Sequence, residues 1–353
     1  MHARPKKLVF LEWARGIAAL LVVLHHETLD APTFYAYVPF NNFFYFGKAG
    51  VDFFFVLSGF IIYYVHSNDN FNMGELKRYF LKRFIRIYPI FWLISFGLLV
   101  SYIVFSDISD RNNLFDILYL IKSFLLFPMD RPPLLSVSWT LAHEMFFYMV
   151  FVVFILNKRF GFFIFTLWGI LVLYINLDGV KLEFPISFYL SIYNIEFIFG
   201  VFIAYICKKK DTLYHQNLYL YFGVLVFILN GLNQDYNFIY VSNIVVTIIY
   251  GVAASVIIYS LSKFSSSKYN NKFNQFMTKL GGASYVIYLV HLPLLSILHR
   301  IILKWELFIY IHPNLLFIIL AIIVMFVGIG IHLFLEKYIV RYLTNKFIVK
   351  KNI

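Results

Sequence analysis

The chain has 353 residues, of which 61% are hydrophobic and 14% charged, with a formal net charge of +12. Soluble domains carry about 25% charged residues, so the composition excludes an ordinary soluble enzyme and predicts an integral membrane protein. The single cysteine, Cys207, excludes an internal disulfide and any Cys-based metal motif.

Apolar runs long enough to cross a bilayer occupy residues 8–28, 43–65, 87–105, 138–156, 160–176, 191–207, 218–232, 238–262, 280–303 and 314–335. An eleventh run, 114–127, is only about 21 Å long as a helix, short of the roughly 30 Å hydrocarbon core. If it does not cross, 22 of the 30 Lys and Arg residues fall on one side and six on the other, with Arg15 and Lys48 inside helices. That asymmetry satisfies the positive-inside rule. The sequence therefore predicts an all-α integral membrane protein of about ten transmembrane helices with both termini cytoplasmic. Residues 114–127 are expected to form a re-entrant or interfacial segment. The longest polar interval is about 30 residues, so residues 1–353 are expected to form one membrane domain, core 8–336, without an appended soluble domain.

The first run follows a basic start, Met1 to Lys7, as a signal peptide does. It is about 20 residues long, contains Arg15 and lacks a small-x-small cleavage site before Asp30, so it reads as a retained helix. A charge at the bilayer centre costs roughly 2.5–3.5 kcal/mol on insertion scales, which makes Arg15 a functional-site candidate. His26 lies eleven positions further on, and at about 100° per residue it returns to within roughly 20° of Arg15 on the helix wheel. Glu12 precedes them on the same stripe, with Ala19 and Val22 as small spacers. Such a stripe predicts a helix that lines a cavity.

The second helix opens with Gly47-Lys-Ala-Gly50-Val-Asp52. Its glycines admit another helix, and Asp52 needs a partner inside the membrane. One reading pairs it with Arg15. Ser58-Gly59 reads as a close-packing step, because no nucleophile elbow surrounds it. Before the third helix, Glu75 to Pro89 form a basic amphipathic stretch suited to anionic lipid headgroups. Arg83 and Arg86, three apart, project from one face and suit a fork on phosphate. Lys82 falls on a neighbouring face.

The fourth helix carries Trp139, His143 and Glu144 in its outer half. Adjacent residues point about 100° apart, and Glu144 is expected to face the cavity. Glu196 on the sixth helix, and His291 with Tyr288 on the ninth, fall in the outer half or near the midplane. His332 and Glu336, four apart at the end of the tenth, are too few ligands for a metal site. Asp52, Glu144, Glu196, His26 and His291 are expected to converge as a proton relay, a transport site or an acid/base site, and periodicity does not choose among these.

In chain order, Arg15-x10-His26, Gly50-Val-Asp-Phe-Phe-Phe-Val-Leu-Ser-Gly-Phe60, Lys82-Arg-x-x-Arg86-Ile-Tyr-Pro89, Ser138-Trp-Thr-Leu-x-x-Glu144-x-x-Phe-Tyr148, Glu196-Phe-x-x-Gly200 and Gly282-x-Ser-Tyr-x-x-Tyr-x-x-His291-x-Pro293 together resemble acyltransferase family 3. These are membrane O-acyltransferases that include polysaccharide acetylases. The resemblance implies transfer of an acyl group, usually acetyl, from cytoplasmic acetyl-CoA or another acyl-CoA to a hydroxyl of a sugar or lipid-linked glycan at a bacterial cell membrane. Neither a metal nor a nucleic-acid partner is expected. His26 is the implied catalytic residue and Arg15 its essential companion, while Arg83 and Arg86, with Lys82 beside them, are the implied CoA-phosphate site.

Neutral imidazole suits the general-base role. Arg15 is expected to stabilise the thioester oxygen or orient the CoA arm, and Glu144 or Asp52 to orient the imidazole. A covalent acyl-His26 is compatible with the sequence. Glu196, His291, His143, Trp139 and Tyr288 complete the expected set as secondary or substrate-side residues. The chain departs from the family pattern at Glu12, where Asp is common, and at His143, where a small, apolar or acidic residue is usual. His25 directly precedes His26, and only the spacing favours the latter.

Many relatives append an extracytoplasmic hydrolase-like domain. With its end at Ile353, this chain is expected to act alone or with a separate extracytoplasmic partner. A secondary transporter would also place carboxylates and His at the midplane, but with inverted repeats and broken helices. A non-catalytic export component is the remaining class. Tyr35, Tyr37, Tyr236 and Tyr240 near outer ends suit either sugar stacking or an interfacial aromatic belt.

Overall fold

The computed structural model describes residues 8–67, 73–104, 116–209, 214–264 and 271–349. The basic start 1–7, Arg111, residues 114–115, Lys210 and the loop 265–270 lie outside the described residues.

Helix α1 (Val9–Tyr35) leads through 3₁₀ turns at Pro39–Asn42 and Tyr45–Ala49 into α2 (Gly50–His66). Then follow α3 (Met73–Val104), the short α4 (Ile117–Phe124), a 3₁₀ turn at Ser136–Ser138, α5 (Trp139–Val150), α6 (Val152–Leu156) and α7 (Lys158–Leu177). The chain continues with α8 (Ile186–Tyr189), α9 (Tyr193–Lys209), α10 (Gln216–Tyr236), α11 (Asn243–Lys263), α12 (Lys272–Lys304), α13 (Leu307–Tyr310) and α14 (Pro313–Ile331). A π-helical turn at His332–Glu336 joins α14 to α15 (Lys337–Thr344).

Nine helices among the described residues are long and apolar enough to cross a membrane, and the protein is an all-α multi-pass membrane protein. The tenth expected span, 218–232, falls within α10, a helix of 21 residues and about 31 Å. Asn230, Asn233, Gln234 and Asp235 dilute its apolar content. Apolar side chains such as Phe96, Ile103 and Leu225 are exposed around the outside, whereas Asp52, Glu196, His291 and His299 are buried within. Lipid rather than water faces such a surface, so charge is kept inside the bundle.

Two boundaries differ from the sequence reading. The basic stretch and the third span form one helix, α3, of 32 residues that runs through Pro89. Helix α4 has 8 residues, about 12 Å, and does not cross. It folds back against α3, where Trp92 Nε1 and the Tyr88 hydroxyl donate to the carbonyls of Phe124 and Leu125 at 2.8 and 2.9 Å.

Helix α1 is central and packs on α2, α12 and α14. Its contact with α2 depends on the glycines singled out above, since a Cβ at Gly47 or Gly50 would lie 2.1 or 2.4 Å from the carbonyl oxygen of Leu21 or Ala18. The α1–α12 crossing is closer still. A Cβ at Gly281 would stand 1.9 Å from the Glu12 carbonyl oxygen.

Candidate functional site

Two cavities open inside the bundle, one of about 360 Å³ and one of about 740 Å³. The smaller is walled by Glu12, Arg15, Ser58, Arg86, Glu144 and Tyr148; we refer to it as the arginine cavity. The larger, the histidine cavity, is walled by His25, His26, Asp52, Trp139, His143 and Tyr193. Val51 and Tyr288 line both. The shared face of α1 thus serves two chambers, with Arg15 in one and His26 in the other. At 1.5 Å per residue the two are about 16 Å apart along the helix axis.

That separation decides several roles. The Arg15–Asp52 ion pair is not formed, because the two residues line different cavities. Glu144 does not join His26 as expected, so it does not orient that imidazole. It accepts hydrogen bonds from Ser58 Oγ at 2.5 Å and from the Tyr148 hydroxyl. The physical reason is the helical period: Glu144 and Tyr148, four apart, share the face of α5 that meets Ser58 in the arginine cavity. His143 instead faces the histidine cavity, with its Nδ1–H 3.2 Å from Asn194 Oδ1 and its ring stacked on Phe188 at 4.0 Å. Two neighbours in sequence serve opposite chambers.

Arg83 and Arg86 both line the arginine cavity. Arg83 is the more constrained. Its Nη2 donates to His66 Nε2 at 2.9 Å, and its guanidinium lies over the rings of Tyr148 and Tyr79 at 5.1 and 5.8 Å. Lys82 is exposed and is not on the cavity wall. His332 Nδ1 and Glu336 Oε2 bond to each other at 2.5 Å in the π turn.

In the histidine cavity, His25 and His26 separate by environment. His25 is buried and donates from Nδ1 to the Tyr45 carbonyl at 2.6 Å, whereas His26 is half-buried, with its ring 5.0 Å from that of His291. His291 donates from Nδ1 to the Tyr288 carbonyl at 2.7 Å, and its buried Nε2 has no partner among the described residues. Asp52 sits in the first turn of α2. Glu196 lies against Asp52, fully buried, and lines neither cavity.

The segment that folds back is tied at its base. Asp116 caps α4 by accepting from the Tyr119 N–H at 3.0 Å, and it pairs with Arg131, whose guanidinium lies 4.4 Å from the Tyr119 ring centre. The Tyr119 N–H and the Arg131 charge hold the Asp116 carboxyl below the usual carboxylate range.

Sequence reasoning missed Ser58 and Tyr148 as partners of Glu144, and Lys48, Tyr193 and Tyr250 as walls of the histidine cavity. Lys48 carried a usable signal, since it stands four residues before Asp52. Tyr35, Tyr37, Tyr236 and Tyr240 do not line that cavity, and the Tyr35 hydroxyl is bound to His299 Nδ1 at 2.5 Å.

A family model described as an acyltransferase domain matches residues 8–333. The chain is 27% identical over 160 residues to protein 2 in the picA locus of Rhizobium radiobacter, covering 40% of this chain and 78% of that protein. It is 32% identical over 111 residues to the exopolysaccharide production protein ExoZ of Rhizobium meliloti (strain 1021), covering 30% of this chain and 33% of that protein, so only a third of ExoZ is spanned. No solved structure matches. Because the family match runs from the start of α1 to beyond α14 and takes in both cavities, the chain belongs to acyltransferase family 3.

Proposed function

We propose that this acyltransferase moves an acyl group, most simply acetyl, from cytoplasmic acyl-CoA to a hydroxyl of a cell-surface or lipid-linked glycan. The carrying observation is that one face of α1 presents Arg15 to one chamber and His26 to another, and that the chambers meet at Val51 and Tyr288. A donor and an acceptor can then enter from opposite ends. The positive-inside count supports a cytoplasmic position for the arginine cavity, on the side of the membrane where acyl-CoA is made. The name of ExoZ, an exopolysaccharide production protein, supports a polysaccharide acceptor.

In this reading Arg86 and Arg83, with Arg15 deeper in, hold the phosphates and arm of CoA. The gap of about 16 Å removes Arg15 from the reacting carbonyl, so it orients the arm. In the histidine cavity His26 accepts the proton of the acceptor hydroxyl as the oxygen attacks the thioester carbonyl. The C–S bond then breaks, the new ester stays on the glycan, and the thiolate takes the proton from His26 to leave as free CoA. Asp52 and His143 line the same chamber and Trp139 offers a face for a sugar ring.

The test compares surface glycan by mass spectrometry in cells with the wild-type protein, with His26→Ala and without the protein. The expected result is one acetyl unit per modified residue in wild type only, and a fall in rate of about 10²- to 10⁴-fold for His26→Ala. An undiminished rate in His26→Ala would falsify the general-base role, and identical glycans in all three strains would overturn the proposed acceptor.

A further inference from the structure

Side chains from three helices converge on Arg83. From the end of α2, His66 Nε2 accepts from Arg83 Nη2 at 2.9 Å. The Tyr148 ring of α5 lies 5.1 Å from the guanidinium, and the Tyr79 ring of α3 itself lies at 5.8 Å. These partners are tied to one another: the Tyr79 hydroxyl donates to the Tyr148 carbonyl at 2.9 Å, and the His66 and Tyr79 rings meet edge-on at 5.1 Å. All four residues are buried. Arg83 nonetheless lines the arginine cavity, whereas His66 is not on its wall, and Arg83 Nε has no hydrogen-bond partner among the described residues.

We infer that His66 is a positioning residue that holds the Arg83 guanidinium in place to receive a phosphate of the acyl-CoA donor. The inference rests on the acyl-CoA reading given above. A guanidinium donates hydrogen bonds and accepts none, so His66 Nε2 carries the lone pair and the ring proton sits on Nδ1. The contact therefore needs an acceptor at position 66 and excludes a second cation there. An arginine side chain has many rotamers, and fixing one before the ligand arrives removes an ordering cost that would otherwise weaken binding. With Nη2 engaged by His66, Nε remains a buried donor that the described residues leave unsatisfied. Such a donor is unfavourable on its own, and a phosphate oxygen in the cavity would complete it with a charge-assisted hydrogen bond.

The test measures steady-state kinetics of the full chain in lipid nanodiscs, with surface polysaccharide stripped of esters by mild alkali as acceptor. The donor is whichever of acetyl-, propionyl- and butyryl-CoA the wild type transfers. His66→Phe keeps a ring against Tyr79 and removes the acceptor, with His66→Leu in its place should that variant not fold, whereas His66→Gln restores an acceptor. KM for the donor is expected to rise about 10-fold in His66→Phe with kcat unchanged, and to stay near the wild-type value in His66→Gln. It rises in Arg83→Ala too, and adding His66→Phe to Arg83→Ala is expected to change nothing further, because His66 acts through Arg83. A merely structural role for His66 predicts losses that add in the double variant. Additive losses, an unchanged KM in His66→Phe or in Arg83→Ala, or equal rises in His66→Phe and His66→Gln overturn the inference and leave the acyl-CoA reading standing. Absence of transfer from all three donors in the wild type overturns both.

Discussion

At His291, donation from Nδ1 to the Tyr288 carbonyl leaves Nε2 as a lone-pair acceptor with no partner among the described residues. The ring stands 5.0 Å from His26, so an unsatisfied acceptor lies beside the imidazole that the proposed mechanism protonates, and in that mechanism His291 is a positioning residue. In steady-state kinetics, His291→Ala is expected to lower kcat about 10-fold or more with KM for acetyl-CoA unchanged, because the proposed donor site is the other cavity. Arg86→Lys is expected to do the reverse, raising KM for acetyl-CoA with little change in kcat, since a point charge replaces a planar fork. At this scale the helical period was enough to put Arg15 and His26 on one face. It was not enough to separate His25 from His26, because that depends on a hydrogen bond to Tyr45, twenty residues away.

The element that matters most is the α1–α12 pair, which is closed at both ends. At one end the Gly281 backbone rests on Glu12; at the other, His299 Nε2 lies 3.1 Å from Glu27 Oε2, with both side chains buried. Together these contacts set the register of His26 against His291. A larger residue at Gly281 must force the helices apart, and such overpacking costs typically 1–3 kcal/mol. Gly281→Val is therefore expected to lower the apparent Tm in detergent by several degrees and to reduce transfer. Gly330→Ala, where an added Cβ meets nothing within 4 Å, is expected to change neither. The length of the 114–127 run already argued against a crossing, and α4 is correspondingly short. The start of α3 was not legible, because hydropathy marks where lipid begins whereas backbone hydrogen bonding continues the helix into the polar region.

Over the whole molecule, orientation is open to a direct test because the lone thiol, Cys207, is buried and gives little background. Lys158 and Lys181 are exposed and lie at opposite ends of α7. On intact cells a membrane-impermeant maleimide is expected to label Lys181→Cys and to spare Lys158→Cys; the opposite pattern would reverse the two chambers. Sequence alone determined the membrane class, most of the spans and the common face of Arg15 and His26, because hydropathy and helical period are properties of short segments. Only the tertiary structure decided that the candidate residues divide between two chambers, that Glu144 belongs with Ser58 and Tyr148, and that Val51 and Tyr288 line both chambers. Those outcomes depend on the depth at which each helix starts and on the angle at which its neighbours cross it. For α5 it is Ser58, approaching from α2, that receives Glu144 in the arginine cavity, and no local pattern in residues 136–156 records it.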